Sequence, residues 1–141
     1  MTDFKTLYEA RKTTAQELAA RVEDGWLIGM DAAAAQTPAI ISAIAERAGQ
    51  DQLRGVKVQT LLDVYPLEFY ADKSLYGKMT GYSWFSSAGA RSAINSGFAD
   101  FIPAYYRDIP KYIRTCYDYD AFCVSVSPMD KHGYFSLATA S

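Results

Sequence analysis

The feature that most constrains this chain is the alternation of short apolar runs with stretches of helical pattern. Five runs, WLIGM (26–30), VKVQTLLDV (56–64), MTGYSWFS (79–86), FADFIP (98–103) and AFCVSV (121–126), read as strands or extended segments. They are too short for a lone helix, and AFCVSV carries the β-branched Val124 and Val126. Helix-patterned segments separate them. Strands that alternate with helices predict an α/β fold, an open, mostly parallel sheet with helices on both faces. The chain contains no internal repeat, low-complexity tract or linker. Its 141 residues suffice for one domain burying roughly two-thirds of its unfolded surface.

The helix boundaries are written in side-chain chemistry. Thr14-Ala15-Gln16-Glu17 has capping-box spacing, which starts a helix through AQELAARV and closes it near Asp24-Gly25. Thr37-Pro38 supplies an N-cap followed by a first-turn proline. The helix PAIISAIAERAG then places Ile40, Ile41, Ile44 and Ala48 on one face and stops at Gly49. ARSAINSG forms a short helix closed by Gly97. YYRDIPKYIRTC stays ambiguous, because Pro110 interrupts any single helix drawn through it.

A formal net charge of -2 implies no basic face, which argues against nucleic acid as a partner. No apolar stretch reaches the roughly 18 residues of a membrane span, and MTDFKTLYEARK has no signal-peptide character. Cys116 and Cys123 match no zinc spacing and are expected to be buried, reduced thiols in a cytoplasmic protein. The 11 tyrosines and 7 phenylalanines either thicken the core or line a groove or interface.

In open parallel sheets ligands bind beyond the carboxyl ends of the strands. That rule selects Gly29, Met30 and Asp31 after the first run, Phe85, Ser86 and Ser87 after the third, and Met129 to Gly133 after the last. Asp130, Lys131 and His132, the single histidine, offer an acid, a base and a proton carrier; equally, they form a polar turn that His132 caps. The loop MDAAAAQTP leads into a helix N-terminus, a possible anion site, but it lacks the glycines of a phosphate loop and serves equally well as a plain connection. Arg91 and Asn95 share a helix face, where surface solvation is the simpler role. Trp84-Phe85 reads as core. No metal-ligand cluster is spelled out.

Taken together, SWF, Arg91, GFADFIPAYYRDIP and DAFCVSVSPMDKHGYFSLA resemble the N-terminal domain of the acetyl-CoA hydrolase/transferase family, which includes 4-hydroxybutyrate, butyryl and succinyl:acetate CoA-transferases. EDGWLIGM and TPAIISAIAERAG fit the family's first strand and following helix, so the likeness covers nearly the whole chain. Ala138 stands where relatives often carry glycine, and the first loop is poor in glycine.

The resemblance implies the N-terminal half of a two-domain enzyme of the CoA-transferase type, with a cleft between the halves. It implies acyl-CoA and a short-chain carboxylate as substrates, with coenzyme A carried as the acyl-CoA, and no metal. A glutamate attacks the thioester and passes through an anhydride to a glutamyl-CoA thioester, which an acid or water resolves. In the family that glutamate lies in the C-terminal domain, beyond position 141. None of Glu9, Glu17, Glu23, Glu46 and Glu68 matches a nucleophile motif, so no catalytic residue is assigned to this chain. Substrate-cleft candidates are Gly29, Met30, Asp31, Ser86, Arg91, Met129, Asp130, His132, Gly133 and Tyr134, with His132 as an orienting partner. A homo-oligomer is expected, since the surface that meets the missing C-terminal domain is apolar. The competing reading is a free-standing, non-catalytic α/β module that binds a small anion or a protein; a sugar-phosphate isomerase fold is a third, without the MDKHGYF pattern.

Overall fold

The structure, a computed structural model, describes residues 3–137. Ala138 therefore lies outside the described residues. The strands are β1 (Leu27–Met30), β2 (Val56–Thr60), β3 (Met79–Ser83), β4 (Asp100–Phe101) and β5 (Ala121–Cys123), and every pairing is parallel. The helices are α1 (Phe4–Arg11), α2 (Ala15–Ala19), α3 (Pro38–Gly49), α4 (Glu68–Ala71), α5 (Ala88–Asn95) and α6 (Ile109–Cys116). The spatial order is β4-β3-β2-β1-β5. The chain thus steps outward from β1 to β4 and then returns to the far side of β1. Since crossovers between parallel strands are as a rule right-handed, such a reversal puts helices on both faces.

The register decides which side chains meet. Phe122, Gly29, Gln59, Tyr82 and Asp100 form one row across the sheet and share a face. Ile28, Met30, Val56 and Val58 point to the other face, where they bury against Ile41, Ile44 and Ala48 of α3, Phe69 of α4 and Ala90 of α5. The isoleucine stripe foreseen on PAIISAIAERAG is this contact, with Ile40 partly buried at its margin. The row face is covered differently. Trp84 stacks on Tyr112 of α6 at 6.1 Å and meets the edge of Tyr117 at 5.6 Å.

Several local expectations hold for their stated reasons. Thr14 and Glu17 form the reciprocal capping box at 3.1 and 3.0 Å. Gly97 takes a left-handed conformation just past α5, whereas α2 ends at Ala19 with Ala20 as its cap, short of the left-handed Gly25 expected to close it. Pro110 begins a helix rather than breaking one, because it falls in the first turn of α6 after a 3₁₀ turn at Tyr106–Asp108.

Other expectations are corrected. The second run leaves the sheet after Thr60, since Asp63 turns inward to bond Gln36 at 2.7 Å. The fourth keeps only two strand residues and the last only three. Helices α1 and α4 were not marked by apolar periodicity. Cys116 is exposed, because Ile109 is the residue of α6 that buries; Cys123 is half-buried. Phe85 is exposed while its neighbour Trp84 is buried. Among the described residues, no helix is long and apolar enough to cross a membrane.

Ile44 is 1% exposed at the centre of the α3 contact. Truncating it to alanine removes apolar contact and leaves a cavity. Ile44→Ala should lower unfolding free energy by about 2–5 kcal/mol in a denaturant titration.

Candidate functional site

A cavity of about 440 Å³ opens where the strand order reverses, between the carboxyl ends of β1 and β5. This is the position the switch-point rule selects. The row face of the sheet supplies the lining from Gly29, Gln59 and Phe122, with Trp84 beyond it. Ile109, Pro110 and Ile113 of α6 and the loop residues Tyr106 and Tyr119 also line it. The chain leaving β1 contributes Met30, Asp31 and Ala32. The volume falls within the roughly 300–1,000 Å³ usual for small-molecule sites.

Gly29 is essential to this shape. A β-carbon built there would lie 2.3 and 2.6 Å from ring atoms of Phe122, and 3.0 Å from Tyr119. The missing side chain lets the Phe122 ring lie directly over β1. Tyr119 packs edge-on to Phe122 at 6.2 Å, and burial pushes its hydroxyl pKa up to about 12.

The alanine-rich loop between β1 and α3 is a pinned connection. Ala33 donates its amide to Leu62 at 2.8 Å, and Ser125 reaches back to Ala35 and Gln36 at 3.0 and 3.1 Å. Gln36 is buried; its amide nitrogen donates to Asp63 and its oxygen accepts from the Val64 amide at 3.0 Å. Asp63 also accepts from Thr60 at 3.0 Å and Ser87 at 3.4 Å. Burial pushes the Asp63 carboxyl up, and the hydrogen bonds from Gln36, Thr60 and Ser87 oppose that shift. This network ties together the exits of β1, β2 and β3 and the start of α5.

The nominated residues divide into three groups. Gly29, Met30 and Asp31 line the cavity. Ser86 and Arg91 sit together past β3, where the Arg91 guanidinium donates to the Ser86 carbonyl at 3.1 Å. Met129, Asp130 and His132 line a separate groove with Asp3, Phe4 and Tyr8 of the N-terminal segment. There Asp130 organises a polar turn: its carboxylate accepts from the backbone amides of His132 at 2.8 Å and Tyr134 at 2.9 Å. Gly133 packs against the Phe4 ring, and the side chains of His132 and Tyr134 are exposed. The cavity and this groove share no lining residue.

Sequence reasoning missed Gln59, Phe122 and the α6 wall. A lone glutamine inside an apolar strand was the available signal for Gln59, because a central parallel strand buries both its faces. All five glutamates are exposed, and none lines the cavity. Among the described residues, no group of three or more His, Cys, Asp or Glu could hold a metal ion.

Two measurements check this geometry. Gly29→Ala forces the Phe122 ring to move, so it should cost about 1–3 kcal/mol in a denaturant titration. Asp63 holds its proton more tightly when folded than when unfolded. Its contribution to stability is therefore full below its ordinary value of 3.8 and lost as pH rises through the raised one. The stability of the native chain relative to Asp63→Asn should fall with rising pH across that window; a rising difference would reverse the assignment.

Comparison with known proteins accords with this picture. A succinyl-CoA:cyclohexane-1-carboxylate CoA transferase from Geobacter metallireducens is 30% identical over 135 residues, covering 96% of this chain and 30% of that protein. A butyryl-CoA:acetate CoA-transferase from Anaerostipes caccae is 27% identical, covering 98% of this chain and 31% of the relative. Among solved structures, RipA from Yersinia pestis superposes with a TM-score of 0.87 at 28% identity, covering 96% of this chain and 33% of that one. The chain thus spans about a third of the length of these relatives. Residues 1–141 match the family description "Acetyl-CoA hydrolase/transferase N-terminal domain" throughout, and the chain belongs to that family.

Proposed function

We propose that the chain is the substrate-side half of an enzyme that moves coenzyme A between short-chain carboxylic acids, or from an acyl-CoA to water. The observation that carries this reading is the family match along the whole chain, joined to a cavity at the switch point. In this reading the cavity receives the acyl group. Its aromatic and aliphatic lining excludes water from the acyl chain and orients it toward the mouth at Met30, Asp31 and Ala32.

The attacking carboxylate comes from a glutamate beyond residue 141, in a second domain that closes over the mouth. That none of the five glutamates in this chain lines the cavity supports that assignment. Attack forms the acyl-glutamyl anhydride and releases CoA thiolate. The thiolate returns to expel the carboxylic acid and leaves a glutamyl-CoA thioester. A second acid, or water, then resolves the thioester. His132 acts as an orienting group, on a turn that Asp130 holds rigid through two backbone amides. Exposed aromatic residues such as Phe85, Tyr105 and Tyr106 suit contact with the second domain and with another subunit of a cytoplasmic homo-oligomer.

The test is an acyl-CoA:acetate exchange assay on the complete protein containing residues 1–141. Exchange is expected, with a CoA adduct recovered on a glutamate outside this chain by peptide mass analysis. An adduct within residues 1–141, or covalent capture of CoA by the isolated chain, would refute the assignment. His132→Ala should slow turnover about 10-fold or more while leaving the circular dichroism spectrum unchanged; unchanged kinetics would remove His132 from the mechanism.

A further inference from the structure

Gln59 is the anomaly in the cavity. It is 2% exposed, and neither its amide nitrogen nor its amide oxygen meets a hydrogen-bond partner. A buried primary amide left in this condition is costly, and native structures hold few of them. Two other polar groups nearby are engaged. Thr60 bonds Asp63 at 3.0 Å, and Asp31 accepts from the Ala32 amide at 2.6 Å. Gln59 nonetheless lines the cavity, on the row face of the sheet. Its neighbour in β1 is Gly29, which has no side chain to pair with the amide.

We propose that Gln59 is a specificity-determining residue, selecting acyl groups that carry an uncharged hydrogen-bonding substituent, above all a hydroxyl. This rests on the reading of the cavity as the acyl site. A primary amide offers two donor hydrogens and an acceptor oxygen. A hydroxyl, being donor and acceptor at once, complements it. A methyl group in the same place would leave the amide unpaired. A second carboxylate could accept from the amide nitrogen, but it would face the amide oxygen with lone pairs only. Among the described lining residues there is no lysine or arginine to balance its charge, and Asp31 adds a carboxyl group at the mouth. The cavity therefore disfavours both the purely apolar acyl chain and the dicarboxylic one. A site built to pair a buried polar group discriminates more sharply against an analogue lacking that group than an apolar pocket does against an extra methylene.

The test compares kcat/KM of the complete protein for 4-hydroxybutyryl-CoA, pentanoyl-CoA (methyl in place of hydroxyl) and succinyl-CoA, with acetate as acceptor. The native protein should favour the hydroxyl over the methyl by about 10–100-fold, with succinyl-CoA also poor. Gln59→Leu should reverse the first preference, losing rate with the hydroxyacyl substrate and gaining it with pentanoyl-CoA. Gln59→Met, of equal length and without donors, repeats the measurement in case the branched side chain disturbs packing. A native preference for pentanoyl-CoA or succinyl-CoA would overturn the proposal. So would an unchanged hydroxyl-to-methyl ratio in the folded variants, which would leave Gln59 bonded to something other than the acyl group. Exchange of acetyl-CoA alone would overturn this inference and spare the broader function. No exchange with any acyl-CoA would remove both.

Discussion

The structure depends first on β1 being paired in parallel on both sides, to β2 and to β5. That arrangement requires the chain to change direction across the sheet once, after β4. The reversal carries α6 to the face opposite α3, α4 and α5. It also parts the connections at the carboxyl ends of β1 and β5, and the cavity occupies that parting. Gly29 makes the arrangement sterically possible on the row face, because Phe122 of the adjacent strand lies where a side chain would stand. Cavity floor and sheet pairing are consequences of the same register.

A second layer of organisation is polar. Asp63, Gln36, Thr60 and Ser87 form a buried cluster at the strand ends, in which the bonds from Gln36 and Ser87 to Asp63 join segments distant in sequence and the Thr60 bond is local. The cluster pulls Leu61–Val64 out of the sheet and holds the alanine loop beneath the mouth. Small side chains suit that loop because it is tethered through backbone amides and carbonyls to the exits of both β2 and β5. A glycine-rich loop would offer amides to a phosphate. Here the bonds at Ala33 and Ala35 join the loop to other parts of the chain instead. Gln59 contrasts with this cluster: both are buried and polar, but only the cluster is internally satisfied.

The motif-bearing segment at the end of the chain has a more local organisation. Asp130 spends its carboxylate on two backbone amides, and Gly133 seats the turn against Phe4. Of the two readings of Asp130, Lys131 and His132, a reactive set or a polar turn, the geometry is that of a shaped turn resting on α1. Any role of His132 in chemistry is exerted from that surface, outside the cavity.

The amino-acid sequence by itself determined the α/β class, the capping box at Thr14, the buried stripe of α3 and the family. Those are local or pattern properties: spacing sets helix faces, side chains set caps, and a strand–helix alternation admits few architectures. It also marked Gly29, Met30 and Asp31 as a strand end, because strand ends are visible as the limits of apolar runs. Only the tertiary structure decided that Phe122 sits on Gly29, that Gln59 faces a cavity, and that Asp63 joins Gln36 across 27 residues. Each of these depends on register between strands far apart in the chain. Register comes from the packing of whole faces against one another, which no single segment encodes.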